Sequence, residues 1–129
     1  MSEFYDLVEG ICRKDKRYKP DAYEFVLAGL SFTQKKLKKT AHVSGAELAA
    51  GLRDYAIDQY GALSGSVLSY WGISQTQDFG NIVFNMIEKK LLSKTKEDSL
   101  LDFNAVYDFK SAFSNVLADS VIEGFKGKT

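Results

Sequence analysis

The segment Ser93-Lys94-Thr95-Lys96-Glu97-Asp98-Ser99-Leu100-Leu101-Asp102-Phe103-Asn104-Ala105-Val106-Tyr107 decides the fold class. Its first seven residues are polar and turn-forming. Beyond them Leu101, Phe103, Ala105 and Tyr107 alternate with Asp102, Asn104 and Val106, an imperfect period of two. That period places successive side chains on opposite faces of a strand. The pattern predicts a short strand on each side of the polar turn, a β-hairpin near residues 92–107.

Upstream of this segment the apolar period lengthens to that of a helix. Phe79, Ile82, Val83, Met86, Ile87 and Leu91 form a wide face over Thr76–Leu91, with Thr76 as cap and Asp78 in the first turn. A short helix is expected over Ser64–Trp71, stopped by Gly72. Before it, Ser44-Gly45-Ala46-Glu47 matches the Ser-x-x-Glu capping box, in which each end satisfies a backbone N–H of the other. Val43 and Leu48 flank the box as a hydrophobic staple. Leu48, Leu52, Tyr55, Ala56 and Tyr60 continue one face until Gly61. Pro20 opens another helix, where a missing N–H has little consequence. Its stripe is Ala22, Phe25, Val26, Leu30, Thr33 and Leu37. Phe4, Leu7, Val8 and Ile11 mark a first helix from Ser2 to about Cys12.

Downstream, Asp108 caps a last helix that turns Phe109, Ala112, Phe113, Val116 and Leu117 inward. The expected architecture is one domain over residues 1–118, with 119–129 as a frayed C-terminal tail. It is α+β but mostly α: a helical domain with one β-hairpin. Three helices followed by a hairpin is the element order of a winged-helix domain. Thr76–Leu91 would then be the recognition helix and Ser93–Phe103 the wing.

The totals bound the activity. The chain has 129 residues, 45% of them apolar, which suffices for a core without disulfides or metal. Its 17 basic and 17 acidic residues cancel, so no net basic field favours nucleic acid. Cys12, the single cysteine, excludes an internal disulfide. The acidic residues Glu3, Asp6 and Glu9 stand where a secretory signal would be basic. No run approaches the ~20 apolar residues of a membrane helix. A cytoplasmic protein is expected.

Arg17-Tyr18, Ala22-Tyr23-Glu24-Phe25-Val26, His42-Val43-Ser44-Gly45, Trp71-Gly72-Ile73, Thr76-Gln77-Asp78-Phe79-Gly80-Asn81-Ile82-Val83-Phe84-Asn85 and Lys94-Thr95-Lys96-Glu97-Asp98-Ser99 together form a specific set of motifs. Through them the chain, from about Tyr5 to Phe113, resembles a small family of conserved hypothetical bacterial proteins of planctomycete–verrucomicrobial type. The resemblance implies a cytoplasmic bacterial protein. It brings no activity, cofactor, partner or site residue.

The residues themselves yield few chemical candidates, and no catalytic, cofactor or metal site is expected. His42 lacks His or Cys companions at ligand spacing and reads as a loop residue near a cap. Cys12, beside Arg13 and Lys14, reads as an inert thiol rather than a nucleophile activated by His42. Asp78-Phe79-Gly80 matches the kinase metal-binding triplet, but the chain has no Gly-rich or catalytic loop. Glu97, Asp98 and Asp102 lack the alternation and central glycine of a calcium loop.

Two surfaces stand out. Arg13, Lys14, Lys16, Arg17 and Lys19, with Lys35, Lys36, Lys38 and Lys39, bracket the second helix as a candidate patch for an anionic partner. Gln77, Asn81, Asn85 and Lys89 of the fifth helix, with Lys94 and Lys96 of the wing, would form the recognition face, although Asp78 and Glu88 there repel phosphate. A protein-interaction or regulatory module is therefore the first expectation. A winged-helix-like nucleic-acid binder is the alternative. A small enzyme, with a pocket at His42, Tyr55 and Asp98, is the third.

Overall fold

The computed structural model describes residues 3–38, 42–93 and 99–114. Six α-helices follow in order: α1 (Glu3–Lys14), α2 (Pro20–Leu37), α3 (Gly45–Tyr60), α4 (Ser64–Tyr70), α5 (Thr76–Glu88) and α6 (Phe109–Ser114). Two 3-10 turns join them, at Gly61–Leu63 and Leu100–Phe103.

The helix ends follow local chemistry. Glu3 and Asp6 start α1 while Arg13 and Lys14 end it, each complementing the helix dipole. Pro20 stands at the start of α2, and Lys38 closes that helix in the left-handed region at φ 58°. At α3 the capping box forms in full. Ser44 Oγ accepts from Glu47 N–H at 3.1 Å, and Glu47 Oε1 accepts from Ser44 N–H at 2.9 Å. Helix α5 begins one residue earlier in cap than expected. Gln75 is the N-cap, and Asp78 reaches back to its N–H at 3.1 Å and to that of Ser74 at 2.8 Å. The helix ends at Glu88. Lys90, at φ 62°, donates to Ile87 O and Leu91 N–H reaches Met86 O, the paired bonds of a Schellman stop.

α2 is the hub, packing on α3, α5 and α1. Its buried residues Ala22, Tyr23, Phe25, Val26, Gly29 and Thr33 spread well round the helix because it has neighbours on several sides. The α2–α3 contact uses glycine reciprocally. A Cβ on Gly29 would lie 2.2 Å from Leu52 Cδ2, and one on Gly51 would lie 1.9 Å from Thr33 Oγ1. Each helix thus presents a bare backbone to a side chain of the other. Gly72, at φ 95°, sits against the Arg17 carbonyl, where a Cβ would approach within 2.0 Å of the oxygen. This locks the α4–α5 turn onto the α1–α2 linker.

The expected hairpin is not there. Among the described residues no strand forms, so the α+β and winged-helix-like readings are replaced by an all-helical fold. Leu100–Phe103 is a 3-10 turn capped by Ser99, whose N–H donates to Asp102 Oδ2 at 3.0 Å. The alternation misled because Leu101 points out, 77% exposed, while Phe103 is buried. Ala105 then enters the left-handed region at φ 48°, which extended backbone does not visit. The backbone finds a side-chain partner instead of a ladder. Thr76 Oγ1 donates to Phe103 O at 2.6 Å and accepts from Val106 N–H at 3.2 Å. The predicted wing tip and the predicted tail fall outside the described residues.

Asp108 does cap α6, accepting from Ser111 N–H at 2.9 Å. Phe103 enters the core over two glycines: a Cβ on Gly80 would lie 2.8 Å from its ring, and one on Gly45 would lie 2.6 Å from Asp102 Cβ.

Candidate functional site

A concavity of about 400 Å³ opens between α2, the start of α3, the second half of α5 and the Leu100–Phe103 turn. Leu30, Val43, Leu48, Val83, Phe84, Ile87, Leu92 and Phe103 make most of its wall. Gln34, His42, Ser93, Ser99 and Asp102 supply its polar members. The cleft follows from the sequence pattern: Val83 and Ile87 share a face of α5, and Leu30 and Gln34 share a face of α2. Asp102 and Ser99 already satisfy each other's turn. Leu100 and Leu101, on the turn that forms one wall, are 43% and 77% exposed. Leu37, one turn beyond Gln34, is 40% exposed.

His42 therefore lines the cleft, as the enzyme reading asked. Tyr55 does not join it; it lines a separate concavity with Asp21, Glu24, Phe25, Ala28, Tyr60 and Trp71. Asp98 falls outside the described residues. Among the described residues, no group of three or more His, Cys, Asp or Glu side chains is placed to hold a metal ion. Cys12 is half-buried, its thiol facing Tyr18 O at 3.5 Å, and burial together with the nearby Asp15 pushes its pKa up. That is the reverse of an activated thiolate.

The expected recognition face is turned partly inward. Asn81 Nδ2 donates to Tyr18 Oη at 2.9 Å, and Tyr18 Oη donates to Asp78 Oδ1 at 2.5 Å. Asn85 Nδ2 donates to Asp15 Oδ2 at 2.9 Å and to Tyr23 Oη at 3.0 Å. These side chains fasten the α1–α2 linker to α5. Asp78, the residue of the kinase-like triplet, is a buried bracing carboxylate at a helix start. Hydrogen bonds from Arg17, reinforced by Asn85, hold the Asp15 carboxyl well below the usual carboxylate range. Burial pushes the Tyr23 phenol up to about 12, and burial plus the Asp78 contact raises Tyr18 further. Gln77 is half-buried and Lys89 is exposed at the end of α5. Lys94 and Lys96 fall outside the described residues.

The basic residues divide into two groups. Arg13 pairs with Glu9 at 3.0 Å, Lys14 with Glu88 at 3.6 Å and Arg17 with Asp15 at 2.8 Å. Lys19 lies over the Tyr70 ring at 4.8 Å, and Lys16 is exposed. At the other end of α2, Lys36 pairs with Asp54 at 2.6 Å while Lys35 and Lys38 are exposed; Lys39 falls outside the described residues. At 1.5 Å rise per residue, α2 holds the two groups roughly 25 Å apart. They are two small mixed-charge regions at opposite ends of one helix.

Sequence reasoning had no route to the cleft wall, since Leu30, Val83 and Ile87 read only as helix faces turned to the core. Nor could it pair Tyr18 with Asp78 across 60 residues. The periodicity of α2 and α5 did carry the signal that these residues share faces. Among the described residues no helix is long and apolar enough to cross a membrane. No known protein-family model, functionally curated protein or solved structure matches the chain.

Proposed function

We propose that this chain is a non-enzymatic protein-interaction module whose cleft between α2, α3, α5 and the Leu100–Phe103 turn receives apolar side chains of a partner protein. One observation carries the reading: the turn that supplies Ser99, Asp102 and Phe103 to the apolar cleft also carries the exposed Leu100 and Leu101. A small-molecule pocket encloses most of its ligand. An apolar hollow with exposed leucines on one of its bounding turns suits a partner that brings its own surface. The cleft volume, about 400 Å³, leaves room for a few large side chains as anchors. The proposal includes action in the cytoplasm of a bacterium, as the family resemblance implies.

The test is a parallel affinity purification of the tagged wild type, Leu101→Lys and Lys16→Glu from the native host, read by mass spectrometry. Leu101 and Lys16 are both exposed, so neither change should disturb folding by more than about 0.5 kcal/mol. A protein retained by wild type and Lys16→Glu but lost from Leu101→Lys is expected. Identical retained sets for wild type and Leu101→Lys would reject the cleft as the docking surface. Nuclease-sensitive material lost from Lys16→Glu instead would point to nucleic acid.

A further inference from the structure

We propose that the second concavity, on the other side of α2, binds a methylated ammonium cation. About 260 Å³ in volume, it is walled by Tyr55 and Tyr60 of α3 and by Trp71, with Phe25 among its lining and Asp21 and Glu24 also on its wall. The rings meet at angles from 34° to 82°. Tyr60 and Trp71 stand edge to face, with centroids 5.8 Å apart and planes at 82°. Phe25, itself buried, touches both Tyr55 at 5.3 Å and Trp71 at 5.6 Å, with its plane tilted 38° and 52° to theirs. The hollow is thus lined by four aromatic residues, and a ring face turned to a cation attracts it without needing hydrogen bonds.

The charge is complementary. Asp21 and Glu24 lie one turn apart on α2 and line the same hollow. Glu24 accepts from the Tyr5 hydroxyl. The Asp21 charge reaches Tyr60, adding to burial and Tyr55 in raising that phenol's pKa. Among the described residues, the chain's own cations stack over Tyr18, Tyr70 and Phe32, and none over Tyr55, Tyr60 or Trp71. The class of cation follows from hydration. A primary ammonium is strongly hydrated and needs hydrogen-bond acceptors. A quaternary one carries its charge on methyl groups that suit aromatic walls. This site is independent of the apolar cleft, because Asp21 and Leu30 are nine residues apart and so project from opposite sides of α2.

Trp71 is the only tryptophan and serves as the reporter. The full chain is titrated with tetramethylammonium chloride, against sodium chloride at equal ionic strength, while Trp71 emission is followed. A saturable change with a dissociation constant on the order of 1 mM is expected. Choline should bind at least as well. Its uncharged carbon isostere, 3,3-dimethylbutan-1-ol, should bind about tenfold more weakly, since it lacks the charge the rings and carboxylates attract. Asp21→Asn should weaken choline binding several-fold, and Tyr60→Leu about tenfold by calorimetry, each with cooperative unfolding retained. Comparing choline with Nε-trimethyllysine, and both with lysine, separates a free small cation from a modified side chain as the source. No saturable change beyond the sodium chloride control overturns the proposal. So does equal affinity for the isostere, or unaltered choline binding in both variants.

Discussion

Replacing Gly51 by alanine should destabilise this protein, although the same replacement stabilises most helices. Gly51 lies inside α3, where alanine gains about 1 kcal/mol in helix propensity. The new methyl would sit 1.9 Å from Thr33 Oγ1, 2.6 Å from Cγ2 and 2.7 Å from Cβ, where ordinary contacts begin near 3.4 Å. Thr33 has no easy escape. It is β-branched, fully buried, and its hydroxyl donates to Gly29 O at 2.7 Å. Relief therefore requires α2 and α3 to separate by about 1 Å or more, which also loosens Leu52 over Gly29. Overpacking of a core typically costs about 1–3 kcal/mol, and a contact this short falls at the upper end. Net of propensity, a loss of about 2 kcal/mol is expected, or roughly 8 °C in Tm for a chain of this size.

Gly10→Ala is the control, since its methyl would meet nothing nearer than Arg13 Nη2 at 3.9 Å. It should raise stability by about 0.5–1 kcal/mol. Urea unfolding followed by circular dichroism at 222 nm measures both. Adding Thr33→Ala to Gly51→Ala removes two of the three clashing atoms, so the double mutant should be more stable than the sum of the single effects by about 1 kcal/mol. A Gly51→Ala protein as stable as wild type, or strict additivity, would refute the reciprocal-glycine packing.

Two serines at helix starts should respond in opposite directions. Ser44→Ala removes a capping-box acceptor and should cost about 1 kcal/mol in urea unfolding. Ser64 Oγ is buried with no described hydrogen-bond partner, so Ser64→Ala should be neutral or gain up to about 1 kcal/mol. Thr76→Val keeps the shape but leaves Phe103 O and Val106 N–H unpaired. It should cost about 2–3 kcal/mol and raise hydrogen exchange over residues 103–107. At high pH the buried phenols govern stability. Tyr23, Tyr18 and Tyr107 have folded pKa values raised above the unfolded value of about 10. Their contribution is complete below pH 10 and is lost as pH rises toward and past 12, so the urea midpoint should fall across that window and fall less in Tyr23→Phe. A midpoint flat from pH 10 to 12 would contradict the burial of these hydroxyls.

Where a signal was local, the sequence carried it. The capping box at Ser44–Glu47, proline at the head of α2, glycine stops at Gly61 and Gly72, and the helical periods of α1 to α5 all depend on residues within one or two turns of each other. Residues 100–107 show the limit. Their alternation is a local hint of strand, but a strand needs a partner, and the groups at hand to bond this backbone were Thr76 Oγ1 and the turn's own Ser99 and Asp102. Likewise Asn81 and Asn85 had the composition of a base-reading face, and only the packing of the α1–α2 linker and the start of α2 on α5 gave them Tyr18, Asp15 and Tyr23 as partners. The helices are thus determined by the chain order of small, apolar and capping residues. The two hollows are created where helices distant in sequence fail to close on each other, and that depends on crossing distances set by glycines and side-chain volumes contributed from different parts of the chain.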